Sequence, residues 1–94
     1  MKSYIPNPVD TSDIILSDDL VMLTEKLAKN AHENWSQLRQ KDGWSWGPER
    51  DDKLKKHPDL IPYKELSDSE KNYDRTTAME TIKVIISLGY KIIK

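Results

Sequence analysis

The chain has no cysteine. That removes disulfides, thiolate nucleophiles and cysteine-based zinc or iron–sulfur sites. It has no surplus of either charge: 15 Lys and Arg stand against 16 Asp and Glu, for a formal net charge of -1. No global field therefore draws a nucleic-acid polymer or an anionic membrane. No apolar run approaches the roughly 20 residues that span a bilayer, and the opening MKSYIPNPVD has no apolar signal core. The expectation is a soluble, cytoplasmic protein that engages neither a membrane nor a nucleic-acid polymer.

Catalytic signatures are missing as well. There is no Walker A loop, no G-x-G-x-x-G and no G-x-S-x-G. His32-Glu33 begins like the zinc-protease motif H-E-x-x-H, but Ser36 stands where the second histidine would be. With two histidines and no cysteine, a structural zinc site is not expected, and His32 reads as a hydrogen-bonding helix residue. No pair of acids is singled out by spacing, and the Ser and Thr residues read as caps and turns. Without a nameable nucleophile, acid, metal or cofactor, the chain is not expected to be an enzyme.

What is present is enough for one small domain, residues 1–94. Hydrophobic residues make up 36% and charged residues 33%, and the apolar residues cluster, which argues against disorder. Residues 1–16 form an arm, held extended by Pro6 and Pro8, with Ile14, Ile15 and Leu16 read as a short strand or anchor. Ser17 is placed as the N-cap of a long helix, with Asp18 and Asp19 at the positive end of its dipole. Leu20, Leu23, Leu27, Ala31, Trp35 and Leu38 repeat at helical spacing as one apolar stripe, and Gly43 stops the helix.

Residues 43–66, with Pro48, Pro58 and Pro62, read as an ordered connection with one short helical turn near Asp51–Lys56. Trp44, Trp46, Leu54, Leu60, Ile61 and Tyr63 are expected to pin it to the helices. Ser67 and Glu70 form a capping box for a second long helix. Tyr73, Ala78, Met79, Ile82, Ile85 and Ile86 are taken to face inward in part, and Gly89 ends the helix. Tyr90, Ile92 and Ile93 form a tail that would pair with the N-terminal arm. The predicted fold is thus mainly α: two long helices, a proline-rich ordered connection and short terminal β-strands.

The stretch Leu27–Asp51 holds all three tryptophans together with Arg39 and Arg50. Trp35 and Arg39 lie four apart, on one helix face. An exposed indole beside a guanidinium suits a purine ring and its phosphates. The other reading makes Trp35 a core residue continuing the stripe, with Arg39 capping the helix end. The turn Gly43-Trp44-Ser45-Trp46-Gly47-Pro48 puts two indoles on one face if extended. They form either a stacking surface with Arg50 as its anion partner, or a plug between the helices. Asp51, Asp52, Lys53, Lys55 and Lys56 read as a solvated face.

The residues then resemble a known family, the ryanodine receptor repeat or RyR domain. The likeness is carried by Pro6, Pro8, Asp10, Thr11 and Ser12 in the arm, and by Leu27-Ala28, Asn30, His32-Glu33 and Trp35 in the first helix. It continues through Gly43-Trp44, Gly47-Pro48, Arg50-Asp51, His57-Pro58, Leu60 and Pro62-Tyr63. Glu70-Lys71, Tyr73 and Leu88-Gly89-Tyr90 close it.

The resemblance implies a compact, mainly α-helical domain with short strands, like the stand-alone bacterial versions. Members have been linked to adenine-nucleotide binding, and bacterial ones proposed as sensors of nucleotide-derived ligands. By position, the tryptophan and arginine of that site fall on Trp35 and Arg39. Trp46 stands where tyrosine is common and Asp59 where cysteine is frequent. A single copy lacks the second repeat that would complete a pocket, unless two chains associate.

The sequence therefore supports a small non-catalytic ligand-binding or sensor module for an adenine-nucleotide-like molecule, using Trp35, Arg39, Trp44, Trp46 and Arg50. The alternative is a protein-interaction or scaffold domain, acting as a homodimer or with a protein partner, in which the same aromatic and arginine residues are the anchors.

Overall fold

Ser17 ends the extended arm and starts the first helix in the computed structural model, which describes residues 3–94; Met1 and Lys2, the first two residues of the predicted arm, lie outside the described residues. The Ser17 hydroxyl accepts from the Leu20 N–H, and Asp18 and Asp19 occupy the first turn, so a side-chain acceptor and two negative charges sit at the positive helix end. Helix α1 runs Asp18–Lys41, with Arg39 and Lys41 in its last turn. Gly43 then takes φ 93°, a left-handed conformation that a side chain would strain. Helix α2 runs Asp68–Ser87 behind Ser67, whose hydroxyl accepts from the Glu70 N–H. Gly89 follows it at φ 95°.

Among the described residues, the β structure lies in the connection and not at the termini. Two-residue strands β1 (Ser45–Trp46) and β2 (Lys56–His57) pair in parallel, with Ser45 opposite Lys56 and Trp46 opposite His57. The arm instead makes a turn, the Ile14 N–H donating to the Thr11 carbonyl at 2.9 Å. It is fastened by the buried Thr11 hydroxyl, which donates to Glu80 Oε2 at 2.7 Å. Among the described residues, the C-terminal tail does not pair with the arm but lies beside the start of α1, with Lys94 Nζ 3.9 Å from Asp19 Oδ1. The helical turn expected near Asp51–Lys56 is a tight reversal closed by mutual Asp51–Lys56 backbone hydrogen bonds, with Lys55 at φ 54°. The short helical element falls later, as a 3-10 turn at Tyr63–Glu65.

The core is small and sits where α1, α2 and the 3-10 turn meet. Ala28, Tyr63 and Leu66 form it, with Ile61 packed against them, and Ile82 is buried from α2. The inward row of α1 is Thr24, Ala28 and His32, one face at spacing four. The predicted stripe is therefore rotated. Leu27, Ala31 and Leu38 are exposed, while Leu20, Leu23 and Trp35 are half-buried. Two polar residues are admitted because each has a partner: the Thr24 hydroxyl donates to the Leu20 carbonyl and His32 bonds the Ile61 carbonyl, which removes most of the cost of burial. On α2, Ala78, Met79 and Ile86 are half-buried as expected, whereas Tyr73 and Ile85 are exposed.

The two helices are locked by a charged network. The Tyr63 hydroxyl donates to Glu25 Oε1 at 3.1 Å, and Arg75 donates to both Glu25 oxygens, at 2.6 and 3.0 Å. A planar guanidinium gripping a carboxylate with two bonds fixes orientation as well as distance.

Candidate functional site

Trp35, near the end of α1, and Trp44, just beyond it, are held together by the helix terminus itself. The chain reverses at Gly43, and the Trp44 N–H donates to the Arg39 carbonyl at 2.9 Å. That bond satisfies an orphan carbonyl of the last turn and brings the Trp44 ring back against α1. The Arg39 guanidinium carbon lies 4.7 Å from the Trp44 ring centre and 5.6 Å from that of Trp35. Both are within cation–π range. The guanidinium of Arg50 lies 5.9 Å from Trp44, on the same ring.

Two histidines complete the aromatic cluster. His32 stacks on Trp35 with ring centres 5.6 Å apart and planes at 26°. His57, in β2, meets Trp35 edge-on at 5.0 Å and Trp44 at 6.3 Å. Gly47 makes that approach possible: a Cβ at this position would stand 2.7 Å from Lys56 Cβ, so a larger residue would push β1 away from β2 and carry His57 with it. Both rings have readable protonation. A carbonyl only accepts, so His32 Nε2 donates to the Ile61 carbonyl at 2.7 Å. The Asp59 N–H donates to His57 Nδ1 at 3.0 Å, which leaves the His57 proton on Nε2. Burial holds the His57 pKa below its usual value, against the opposing pull of Asp59, so the ring is neutral near pH 7.

The electrostatics are asymmetric. Arg50 donates to Asp52 at 2.8 Å, and that bond keeps the Asp52 carboxyl below the usual range. Arg39 makes no ion pair among the described residues. Trp35 and His57 also line a cleft of about 270 Å³ that carries Asp59, Glu70 and Asp74. Asp59 pushes the Glu70 carboxyl up, and burial followed by Asp59 pushes Asp74 up.

Of the five residues picked from the sequence, four come together: Trp35, Arg39, Trp44 and Arg50. Trp46 stays 54% exposed in β1, outside that set of ring contacts. The two readings of Trp35 merge, since it is half-buried at the edge of the core with Arg39 over it. Sequence reasoning did not include His57 and Asp59, which reach the site through strand pairing. The His57-Pro58-Asp59 turn after a strand was the available signal. Among the described residues, no group of three or more His, Asp or Glu is arranged to hold a metal ion, and no helix is long and apolar enough to cross a membrane.

Compared with protein families, residues 4–94 match the family model described as RyR domain, which takes in both helices, the paired strands and the whole aromatic cluster.

Proposed function

Because the chain belongs to the RyR domain family, we propose that it is a non-catalytic binding module of the cytoplasm whose ligand is a nucleotide-like molecule, an aromatic base carrying an anionic group. One observation carries this reading: the Arg39 guanidinium lies over two indoles, Trp35 and Trp44, with no carboxylate paired to it among the described residues. A guanidinium held beside two rings and without a carboxylate partner is suited to grip a phosphate with two hydrogen bonds. Arg50 can add a second cation by exchanging its exposed partner Asp52 for the ligand. Trp35 or Trp44 supplies the stacking face, and Trp46 stands at the rim. The cysteine-free composition supports the compartment.

The test is calorimetric titration with adenosine and guanosine monophosphates. Stacking of a base is worth about 1–3 kcal/mol, so Trp44→Ala weakens binding on the order of tenfold or more, and Arg39→Ala does likewise. No binding of either nucleotide by the intact chain would sink the reading.

A second reading, an interaction or scaffold domain, is favoured by the surface. The chain exposes 7855 Å², against about 5,600 Å² for a globular monomer of its mass. Its radius of gyration is 16.3 Å, against about 12 Å for a compact chain of this length, so it is more open than the resemblance implied. Ile15, Val21, Met22, Leu88, Tyr90 and Ile93 are all exposed. Such a surface suits association with a second copy or another protein, and sedimentation at micromolar concentration decides it: a strictly monomeric species counts against this reading.

A further inference from the structure

Helix α1 keeps a second apolar face. Thr24, Ala28 and His32 turn toward the core. At 3.6 residues per turn, Asp19, Met22, Leu23 and Lys26 fall on the opposite side. Met22 stands there 66% exposed. The C-terminal tail runs beside this stretch, and Leu20, Leu23, Lys26, Ile92 and Ile93 are among the residues lining a groove of about 310 Å³ between the two. Ile93, from the tail, is 89% exposed. Folding leaves these side chains in water, on the far side of α1 from the core.

The area left open is that of an interface. The chain exposes roughly 2,200 Å² more than a globular monomer of its mass. The extended arm, with Tyr4 and Ile5 both 84% exposed, holds part of that surplus. Half of it would still exceed the roughly 800 Å² that each copy gives up in a standard interface, and the whole falls within the roughly 1,000–2,500 Å² per copy of obligate homodimers. Charge then selects the partner. The face is acidic at its start, at Asp19, and basic about two turns on, at Lys26. The flanking Asp18 and Lys29 repeat that order. Two such helices, run antiparallel about a two-fold axis between Met22 and Leu23, set each Asp19 against the partner's Lys26, because both lie equally far from the axis. Met22 and Leu23 then meet across it. A parallel arrangement would set Asp19 on Asp19 and Lys26 on Lys26. Asp19 is available, since its contact with Lys94 is long, at 3.9 Å, and both side chains are exposed.

We infer that this face is a homodimer interface, on which a second copy of the chain packs its α1 antiparallel, about a two-fold axis near Met22 and Leu23. This rests on the association reading above and names its partner and its surface. The dimer covers Met22 and Ile93 of both copies, which a lone chain leaves in water. Its axis lies about 25 Å along the helix from Arg39, at 1.5 Å per residue, so the two surfaces are separable by mutation.

Sedimentation velocity of the full chain across micromolar concentrations tests this, with Met22→Glu, Asp19→Lys, Lys26→Asp and the double reversal Asp19→Lys/Lys26→Asp. The unaltered chain is expected to reach a dimer and go no further. Met22→Glu sets like charges close to the axis and should raise the dissociation constant about thirtyfold or more. Each single reversal should raise it on the order of tenfold, since symmetry counts each contact twice. The double reversal should restore it to within about threefold, a rescue that a folding defect does not produce. A dimer that survives Met22→Glu with unchanged helical circular dichroism overturns the inference and leaves the association reading standing. A double reversal that dimerises no better than the single ones does the same, as does assembly beyond two copies. A chain that is monomeric throughout overturns the inference and counts against that reading as well.

Discussion

Arg39 holds Trp44 twice: its carbonyl accepts the Trp44 N–H at 2.9 Å, and its guanidinium covers the Trp44 indole at 4.7 Å. The backbone bond is part of the helix end and survives any side-chain change. The ring contact does not. Arg39→Ala is therefore expected to leave α1 intact while uncovering one face of Trp44 and Trp35. Removing a partly exposed cation–π contact costs about 0.5–1 kcal/mol. Tryptophan emission should shift to the red and become more quenchable by acrylamide, with helical circular dichroism unchanged. Arg39→Lys should recover only part of the protection, since an ammonium does not lie flat on a ring. Unaltered emission and quenching in Arg39→Ala would show that the guanidinium shields neither indole.

What the sequence made legible is local. Ser17 and Ser67 as N-caps, and Gly43 and Gly89 as helix stops, all stand where their chemistry put them, because capping involves residues three or four apart. The Trp35–Arg39 pair is legible for the same reason. The inward face of α1 was not. Periodicity of apolar residues picked Leu27, Ala31 and Leu38, yet the row Thr24, Ala28 and His32 is buried, because the 3-10 turn region supplies an acceptor, the Ile61 carbonyl, for His32. A hydrogen-bond partner 29 residues away leaves no trace in a helical window. Strands are expected at the termini from the apolar run Ile14–Leu16 and the tail with Tyr90, Ile92 and Ile93. They form instead where Gly47 allows β1 to approach Lys56. His57 and Asp59 entered the site by that same pairing.

Ile82 contributes the buried apolar side chain of α2, at 3% exposure, while Ile85 one turn on is 37% exposed. Ile82→Ala is expected to cost about 2–5 kcal/mol through lost transfer free energy and the cavity left behind. In a core this small, that is a large part of the roughly 5–14 kcal/mol expected for a domain of this length. Chemical denaturation should show a midpoint far below that of the unaltered chain or no folded baseline at all. Ile85→Ala should stay within about 1 kcal/mol, since its side chain is already partly hydrated. Equal effects of the two would mean that α2 packs with a different face.

The Glu25–Arg75–Tyr63 network predicts a pH dependence with a definite sign. Arg75 holds the Glu25 carboxyl below 4.5, its ordinary value, with a smaller contribution from the Tyr63 hydroxyl, against a modest opposing effect of burial. A carboxylate with a depressed folded pKa adds stability above its unfolded pKa and loses it as pH falls through the folded one. Glu25→Gln is therefore expected to lower the thermal midpoint at pH 7, and the gap to the unaltered chain to shrink as pH falls below 4.5 and through the depressed folded pKa. Half-exposed ion pairs are screened by water, so the shift is a few degrees and shrinks in high salt, though the two-bond Arg75 grip is the part that salt removes least. Thermal melts of both proteins from pH 2.5 to 7.5 check this. A constant offset across that range would assign the loss to packing instead of charge.

Asp74 behaves in the opposite sense. Burial raises its pKa above 3.8, and Asp59 raises it further, against a lowering influence of His32. A carboxyl whose folded pKa lies above its unfolded one is costly when ionised. Its penalty is complete above the folded pKa and disappears as pH falls to the unfolded value. Asp74→Asn keeps the shape and removes the charge, so the variant is expected to melt higher than the unaltered chain at pH 7, with the gap closing toward pH 4. Glu70→Gln should act alike because Asp59 is the main cause of its raised pKa, and the two gains should be less than additive, since both remove repulsion with Asp59. The His57 pKa is lowered too, chiefly by burial, so the comparison is read as variant minus unaltered chain at each pH, where any His57 contribution cancels to first order. A higher melting point at neutral pH would identify Asp59, Glu70 and Asp74 as charges kept together at a cost in stability, as functional groups often are. A variant that melts lower at pH 7 would instead make Asp74 a stabilising partner of His32.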